Sequence, residues 1–163
     1  MNNRPGKQLL LNFPSHPEYD FSNFVVSEGS RIAFETAKEF CSENPAPYQA
    51  LYIFGQKNLG KTHLLLSIGN RVAERELRAV CIQGHDFVDK LGGDPSPEAQ
   101  QTLKQLLNVD FFLMDNVESL TKSPTAQEKL YHIYNQMMEK GGKLAFTAGL
   151  PPDRNSAMES YLT

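Results

Sequence analysis

The segment Gly55-Gln56-Lys57-Asn58-Leu59-Gly60-Lys61-Thr62 does most to limit what this chain can become. It meets the pattern GxxxxGK[ST] in full. Before it lies the short apolar run Ala50-Leu51-Tyr52-Ile53-Phe54. After it, from Leu59 to Leu77, the spacing predicts a helix with Leu64, Leu65, Ile68 and Val72 on one side and Glu74, Arg75 and Glu76 on the other. A strand buried on both faces, a glycine turn and an amphipathic helix make the first half of a βαβ unit. Glycines let backbone wrap closely around phosphates, and successive N–H groups at a helix N-terminus supply partial positive charge. The residues expected around a nucleotide's phosphates are therefore Gly55, Asn58, Leu59, Gly60, Lys61 and Thr62, with His63 directly after them. Lys61 would reach the β- and γ-phosphates and the Thr62 hydroxyl would bind Mg²⁺. His63 reads either as packing in the first helical turn or as a base.

The remaining pattern repeats the alternation. Ala79-Val80-Cys81-Ile82 and Val109-Asp110-Phe111-Phe112-Leu113-Met114-Asp115 are near-continuous apolar runs that suit parallel strands covered on both faces, and Lys143-Leu144-Ala145-Phe146-Thr147 is a further one. Helices are expected at about 27–40, 85–91, 97–107 and 125–140, with Ser27 capping the first and Gly141-Gly142 stopping the last. Ile32, Ala33, Phe34, Ala37 and Phe40 should face inward from the first helix. The sum is a doubly wound α/β domain with a parallel sheet of about four strands. Its sheet would be left with an exposed edge that invites dimers, so the chain is read as a monomer or an edge-mediated dimer.

A phosphate-binding loop needs a second anchor for the metal, a carboxylate at the end of a neighbouring buried strand. Asp115 occupies such a position, and capping the following turn is the alternative. Asn116 stands next to it, where many hydrolysing relatives of the motif carry a second acid. An amide cannot take the proton of an attacking water, so slow hydrolysis is expected. Glu118 is a substitute on a loop. Thr147 either places a hydroxyl near the γ-phosphate or simply ends its strand. His85 and His132 belong to no pattern.

At 163 residues and 40% apolar content the chain suits one domain. A net charge of −3 argues against a broadly basic nucleic-acid surface. Cys41 and Cys81 lie outside any CxxC or Cys/His cluster and read as reduced, buried side chains. No signal peptide or membrane-spanning run is evident, which points to a cytoplasmic protein. Residues 1–18, with Pro5, Gly6, Pro14 and Pro17, suit an extended arm bearing the apolar run Leu9-Leu10-Leu11 and Phe13, whereas 19–163 form the folded domain.

The order of features resembles the AAA+ module of the DnaA/Hda family, the bacterial replication initiator and its short regulatory relative. Carrying the resemblance are Tyr19-Asp20-Phe21-Ser22-Asn23-Phe24-Val25-Val26, then Asn58-Leu59-Gly60-Lys61-Thr62-His63-Leu64-Leu65, then Leu113-Met114-Asp115-Asn116-Val117-Glu118, and finally Phe146-Thr147 with Pro151-Pro152. It implies a three-layer P-loop NTPase fold of the AAA+ type, ATP or ADP with Mg²⁺ as ligands, and a part in replication initiation or its regulation. It also implies that Asn23, Phe24, Val25 and Val26 pack near adenine. The pair Asp115-Asn116 looks more like Hda than DnaA. Gln8-Leu9-Leu10-Leu11-Asn12-Phe13 is similar to the extended peptides that dock into the sliding clamp, with Gln8, Leu9, Leu11 and Phe13 as anchors, unless those side chains fold back onto the domain's own core. A DnaA-type initiator is the second partner implied.

Against the family's pattern, the chain reaches Thr163 about where the helical lid and its arginine finger would begin, and Arg154 falls too early to be that finger. Weaker nucleotide binding and little hydrolysis are the expectation, with a nucleotide-gated adaptor as the alternative to a replication role. Residues 85–108 hold only Lys90 and Lys104 as basic groups, so direct DNA binding through them is not expected.

Overall fold

The computed structural model describes residues 10–44 and 46–155. Strand alternation sets the architecture. Val80, Ile82, Phe112, Met114, Leu144 and Phe146 point to one face of a sheet, while Ala79, Cys81, Phe111, Leu113 and Ala145 point to the other. Both sets are buried, so both faces need a helical layer. The strands are β1 (Leu10–Asn12), β2 (Ala50–Phe54), β3 (Ala79–Gln83), β4 (Phe111–Asp115) and β5 (Lys143–Ala148). Their order is β1-β3-β4-β5-β2, with β2 to β5 mutually parallel and β1 antiparallel to β3.

Helices α1 (Arg31–Phe40) and α2 (Lys61–Ala73) cover one face, where Phe40, Leu64, Leu65, Ile68 and Val72 join Phe21 in the core. On the opposite face lie α3 (Gly84–Leu91), α4 (Pro97–Leu107) and α5 (Pro124–Glu139), which bring in Phe87, Leu91, Leu106, Leu130, Ile133 and Met137. Ser96 and Ser123 cap α4 and α5 by accepting from the N–H groups of Ala99 and Ala126, each ahead of a proline that starts the helix.

Three differences from the expectation have local causes. The sheet has a fifth strand, because Leu10, Leu11 and Asn12 pair with Ile82, Cys81 and Val80 and cover the edge of β3. Three residues ahead of Pro14 suffice for an edge strand, where a neighbouring proline is tolerated. α1 starts at Arg31 after a 3-10 turn over Glu28–Ser30, in which Ser27 and Ser30 form a capping box. Ile32 stays 82% exposed rather than inward, because at 3.6 residues per turn it lies off the stripe of Ala33, Ala37 and Phe40.

Candidate functional site

Parallel strands place their C-terminal ends on one side of the sheet, and the chemistry-bearing residues gather there. β2 runs into the loop 55–60, and α2 begins at Lys61. Gly60 has φ 87°, a left-handed conformation that suits glycine. A Cβ there would also lie 2.5 Å from the Phe24 ring. Asn58, at φ 63°, is also left-handed and is of a type that tolerates that region. The Lys61 ammonium donates to the carbonyls of Gly55 and Gln56, each at 2.6 Å, which holds it inside the loop. Leu59 is exposed at the loop's outer side.

The end of β4 delivers Asp115, 3% exposed. Its Oδ2 accepts from the Thr62 hydroxyl at 2.8 Å and from the Gln83 side-chain amide at 3.0 Å. The Thr147 hydroxyl donates to its Oδ1. Thr147 Oγ1 accepts in turn from the Asn116 N–H at 2.9 Å. The hydroxyl of the loop helix, the carboxylate of β4 and the hydroxyl of β5 thus form one connected network. A buried carboxylate with three donors is positioned and kept from swinging. Among the described residues no group of three or more His, Cys, Asp and Glu could hold a metal. A single hydroxyl beside a single carboxylate fits Mg²⁺, which keeps waters and phosphate oxygens as its other ligands.

Gln83 did not emerge from the sequence. The parallel register sets it opposite Asp115. Its amide holds the carboxylate, and its Oε1 accepts from the Asn116 side chain at 3.2 Å. Asn116 itself sits in the left-handed region, φ 58°, where asparagine is better tolerated than most residues. Glu118 turns elsewhere: its Oε1 accepts from the Gly149 N–H at 3.2 Å, and its Oε2 is buried without a partner.

Of the segment expected near adenine, Phe24 packs on Gly60, stacks on Phe34 at 5.5 Å and meets the edge of His63. Val25 is 88% exposed and Val26 partly so, and Asn23 donates to the Glu18 carbonyl. The His63 ring lies between Tyr19 and Phe24 and donates through Nε2 to the Asp20 carbonyl at 2.9 Å, a packing arrangement. The Asp20 carboxyl is held below its usual range because it accepts from Ser22. Gln8 and Leu9 lie outside the described residues, whereas Leu11 and Phe13 pack against the α1–α2 side of the core. His85 pairs with Asp86 at 3.3 Å. His132, on α5, meets the side chain of Gln136.

A three-layer sandwich whose first parallel strand, glycine loop and helix face a strand-end aspartate is the AAA+ form of the P-loop NTPase fold. The comparison with known families narrows this. The model of the bacterial DnaA ATPase domain matches residues 15–163, and the chain belongs to that family. The chromosomal replication initiator protein DnaA of Thermotoga petrophila is 33% identical over 162 residues, covering 96% of this chain and 36% of that protein. The chain thus spans about a third of the length of such relatives. Domain III of the Thermotoga maritima DnaA superposes with a TM-score of 0.76 at 33% identity, covering 88% of this chain and 61% of that one. DnaA of Aquifex aeolicus, solved with AMPPCP bound, gives 0.77 at 28% identity, covering 87% and 45%. A DnaC helicase loader, 20% identical with a TM-score of 0.66 over 89% and 86%, shares the fold. Among the described residues no helix is long and apolar enough to cross a membrane.

Proposed function

We propose that this chain binds ATP or ADP with Mg²⁺ and uses the bound state in the initiation of DNA replication or its regulation. The observation that carries this reading is the Thr62 hydroxyl hydrogen-bonded to Asp115 at the mouth of a complete phosphate-binding loop. Lys61 and the loop N–H groups would hold the phosphates, and Thr62 and Asp115 would hold the metal. Mg²⁺ held by Thr62 and Asp115 would supply charge neutralisation for the phosphates. Phe24, Val25, Val26 and Asn23 would border the base.

Turnover would be slow. The amide of Asn116 is bonded to Gln83, and no carboxylate stands in its place to orient water. Thr147 would act through Asp115 as a sensor of the bound state. This profile suits a protein that works by holding nucleotide rather than by consuming it, in the manner of a regulatory DnaA relative of the Hda kind. The same observation favours a second reading, a nucleotide-gated adaptor outside replication. α3 and α4 with their connection carry Asp86, Asp89, Asp94 and Glu98 against Lys90 and Lys104, which supports contact with protein rather than single-stranded DNA.

The partners proposed are the sliding clamp, through an arm of residues 1–18 attached to the domain 19–163, and a DnaA-type initiator. β2 is the outer strand of the sheet among the described residues, which supports an edge-mediated dimer as the alternative to a monomer. Two assays separate the readings. Fluorescent ATP and ADP analogues titrated with and without Mg²⁺ should bind in the micromolar range or tighter, with affinity dependent on the metal. Clamp capture should be lost when Gln8, Leu11 and Phe13 become alanine. Capture unchanged by those substitutions removes the tether and leaves the adaptor.

A further inference from the structure

We propose that residues Phe13–Phe24 form a strap along α2 that couples the arm strand β1 to the nucleotide in the loop, so that nucleotide binding keeps Leu10–Phe13 docked and nucleotide loss releases it. The inference rests on the nucleotide binding proposed above and adds a regulation of the arm.

The strap touches α2 and its loop at successive points. The Phe13 ring lies on Gly69, where any Cβ would collide with it. The Ser15 N–H and hydroxyl both donate to Asn70 Oδ1, at 2.6 and 3.1 Å, and the Asn70 amide donates back to the carbonyls of His16 and Tyr19. Arg71 sits 5.3 Å over the Phe21 ring. His63 is wedged between Tyr19 and Phe24 and bonds the Asp20 carbonyl. The strap ends with Phe24 against Gly60, inside the loop itself. From Gly69 to Gly60 this is about 14 Å along the helix at 1.5 Å per residue.

Filling the loop fixes the backbone of Gly60 and the first turn of α2, which is the surface that Phe24 and Tyr19 rest on. A ligand that favours one arrangement of that surface favours the strap that fits it, and the effect is reciprocal. At the far end β1 pairs at three positions among the described residues. Strands this short depend on their surroundings for stability. Leu11 and Phe13 are also the apolar anchors that a partner with a groove for an extended peptide would take. They cannot fill the partner's groove and the α2 face together.

Amide hydrogen exchange on the full chain tests this, with and without saturating Mg-ADP and with binding verified by calorimetry. The expected result is that ADP slows exchange at Leu10–Asn12 and at the facing Val80 and Ile82 by roughly 5-fold or more, within the usual range of coupling between sites. Phe13→Ala should weaken ADP by the same factor. Asn70→Ala should keep ADP binding and lose the response of the arm. ADP bound with arm exchange unchanged, or Phe13→Ala binding ADP as the wild type does, overturns the coupling alone. Absence of ADP binding overturns the nucleotide reading and the coupling with it. Should Phe13→Ala fail to fold by circular dichroism, the wild type and Asn70→Ala decide the matter.

Discussion

The two ends of the parallel sheet obey one electrostatic rule and put it to opposite uses. At the C-terminal ends of the strands α2 begins, and its N–H groups face the loop together with Lys61, Thr62 and the buried Asp115 network. At the other end α1 and α4 finish, and carbonyls at their ends meet lysines: Lys140 donates to the carbonyl of Leu107 and to that of Val109 just beyond α4, and Lys143 to that of Phe40, with its ammonium 4.9 Å over the Phe40 ring. Helix N-termini attract anions and C-termini attract cations. Burial lowers the pKa of both lysines, so these ammonium groups are part of the structure's packing. One end is arranged for a ligand, and the other satisfies itself.

That contrast can be broken most strongly at Asp115. Replacing it with alanine removes the acceptor of Thr62, Gln83 and Thr147 at once. With unsatisfied buried donors costing about 1–3 kcal/mol each, a loss of about 3 kcal/mol or more is expected in urea unfolding. Metal-dependent nucleotide affinity should vanish with it.

Alkaline pH probes two buried thiols, Cys41 at the α1 end and Cys81 on β3, both raised by burial. Burial pushes the Cys41 thiol up to about 11 from an ordinary 9.0. A folded pKa above the unfolded one favours folding fully below pH 9, and that contribution is lost as pH rises from 9 towards 11. The loss is about 3 kcal/mol at about 1.4 kcal/mol per unit. Cys41→Ala should remove this share of the slope and leave the share of Cys81, and an unaltered slope would mean that Cys41 contributes none of it.

Lys143→Met should cost about 1–2 kcal/mol, because the Phe40 carbonyl and the ring lose their cation. Nucleotide affinity should stay within about twofold, since this residue lies at the opposite end; a large change in affinity would dissolve the distinction between the ends. The smallest effect expected is that of Gln83→Leu, about 1 kcal/mol in stability. It frees Asn116 and loosens Asp115, and the sharper readout is a changed Mg²⁺ dependence of ADP binding beside that small fall in the unfolding midpoint.

How much of this could be read in advance depended on whether a feature is covalently local. The loop motif carries its own spacing, and Asp115 closes a run of apolar residues, so both stand out along the chain. Gln83 gains its role from lateral register: it pairs with Asp115 only once β3 lies beside β4, and a glutamine after Ile82 carries no such mark. The strand β1, three residues among those described, pairs across some 70 positions shortly before a proline, and nothing local separates it from an extended arm. Ile32 is apolar like its neighbours on α1, and only its angular place, off the stripe of Ala33, Ala37 and Phe40, sets it outside. Phe24 lay in the segment that resemblance linked to adenine, but its contact with Gly60 needed the loop's left-handed turn.

The central claim is that the loop end binds adenine nucleotide and the lysine end does not take part. Calorimetric titration of Mg-ADP and Mg-ATP into the wild type, Lys61→Ala and Lys143→Ala tests it most directly. The account predicts binding to the wild type and to Lys143→Ala with similar affinity, and at least about 100-fold weaker binding, about 2.7 kcal/mol, to Lys61→Ala. Wild-type protein that gives no binding heat, or Lys61→Ala that binds as tightly as the wild type, would contradict it.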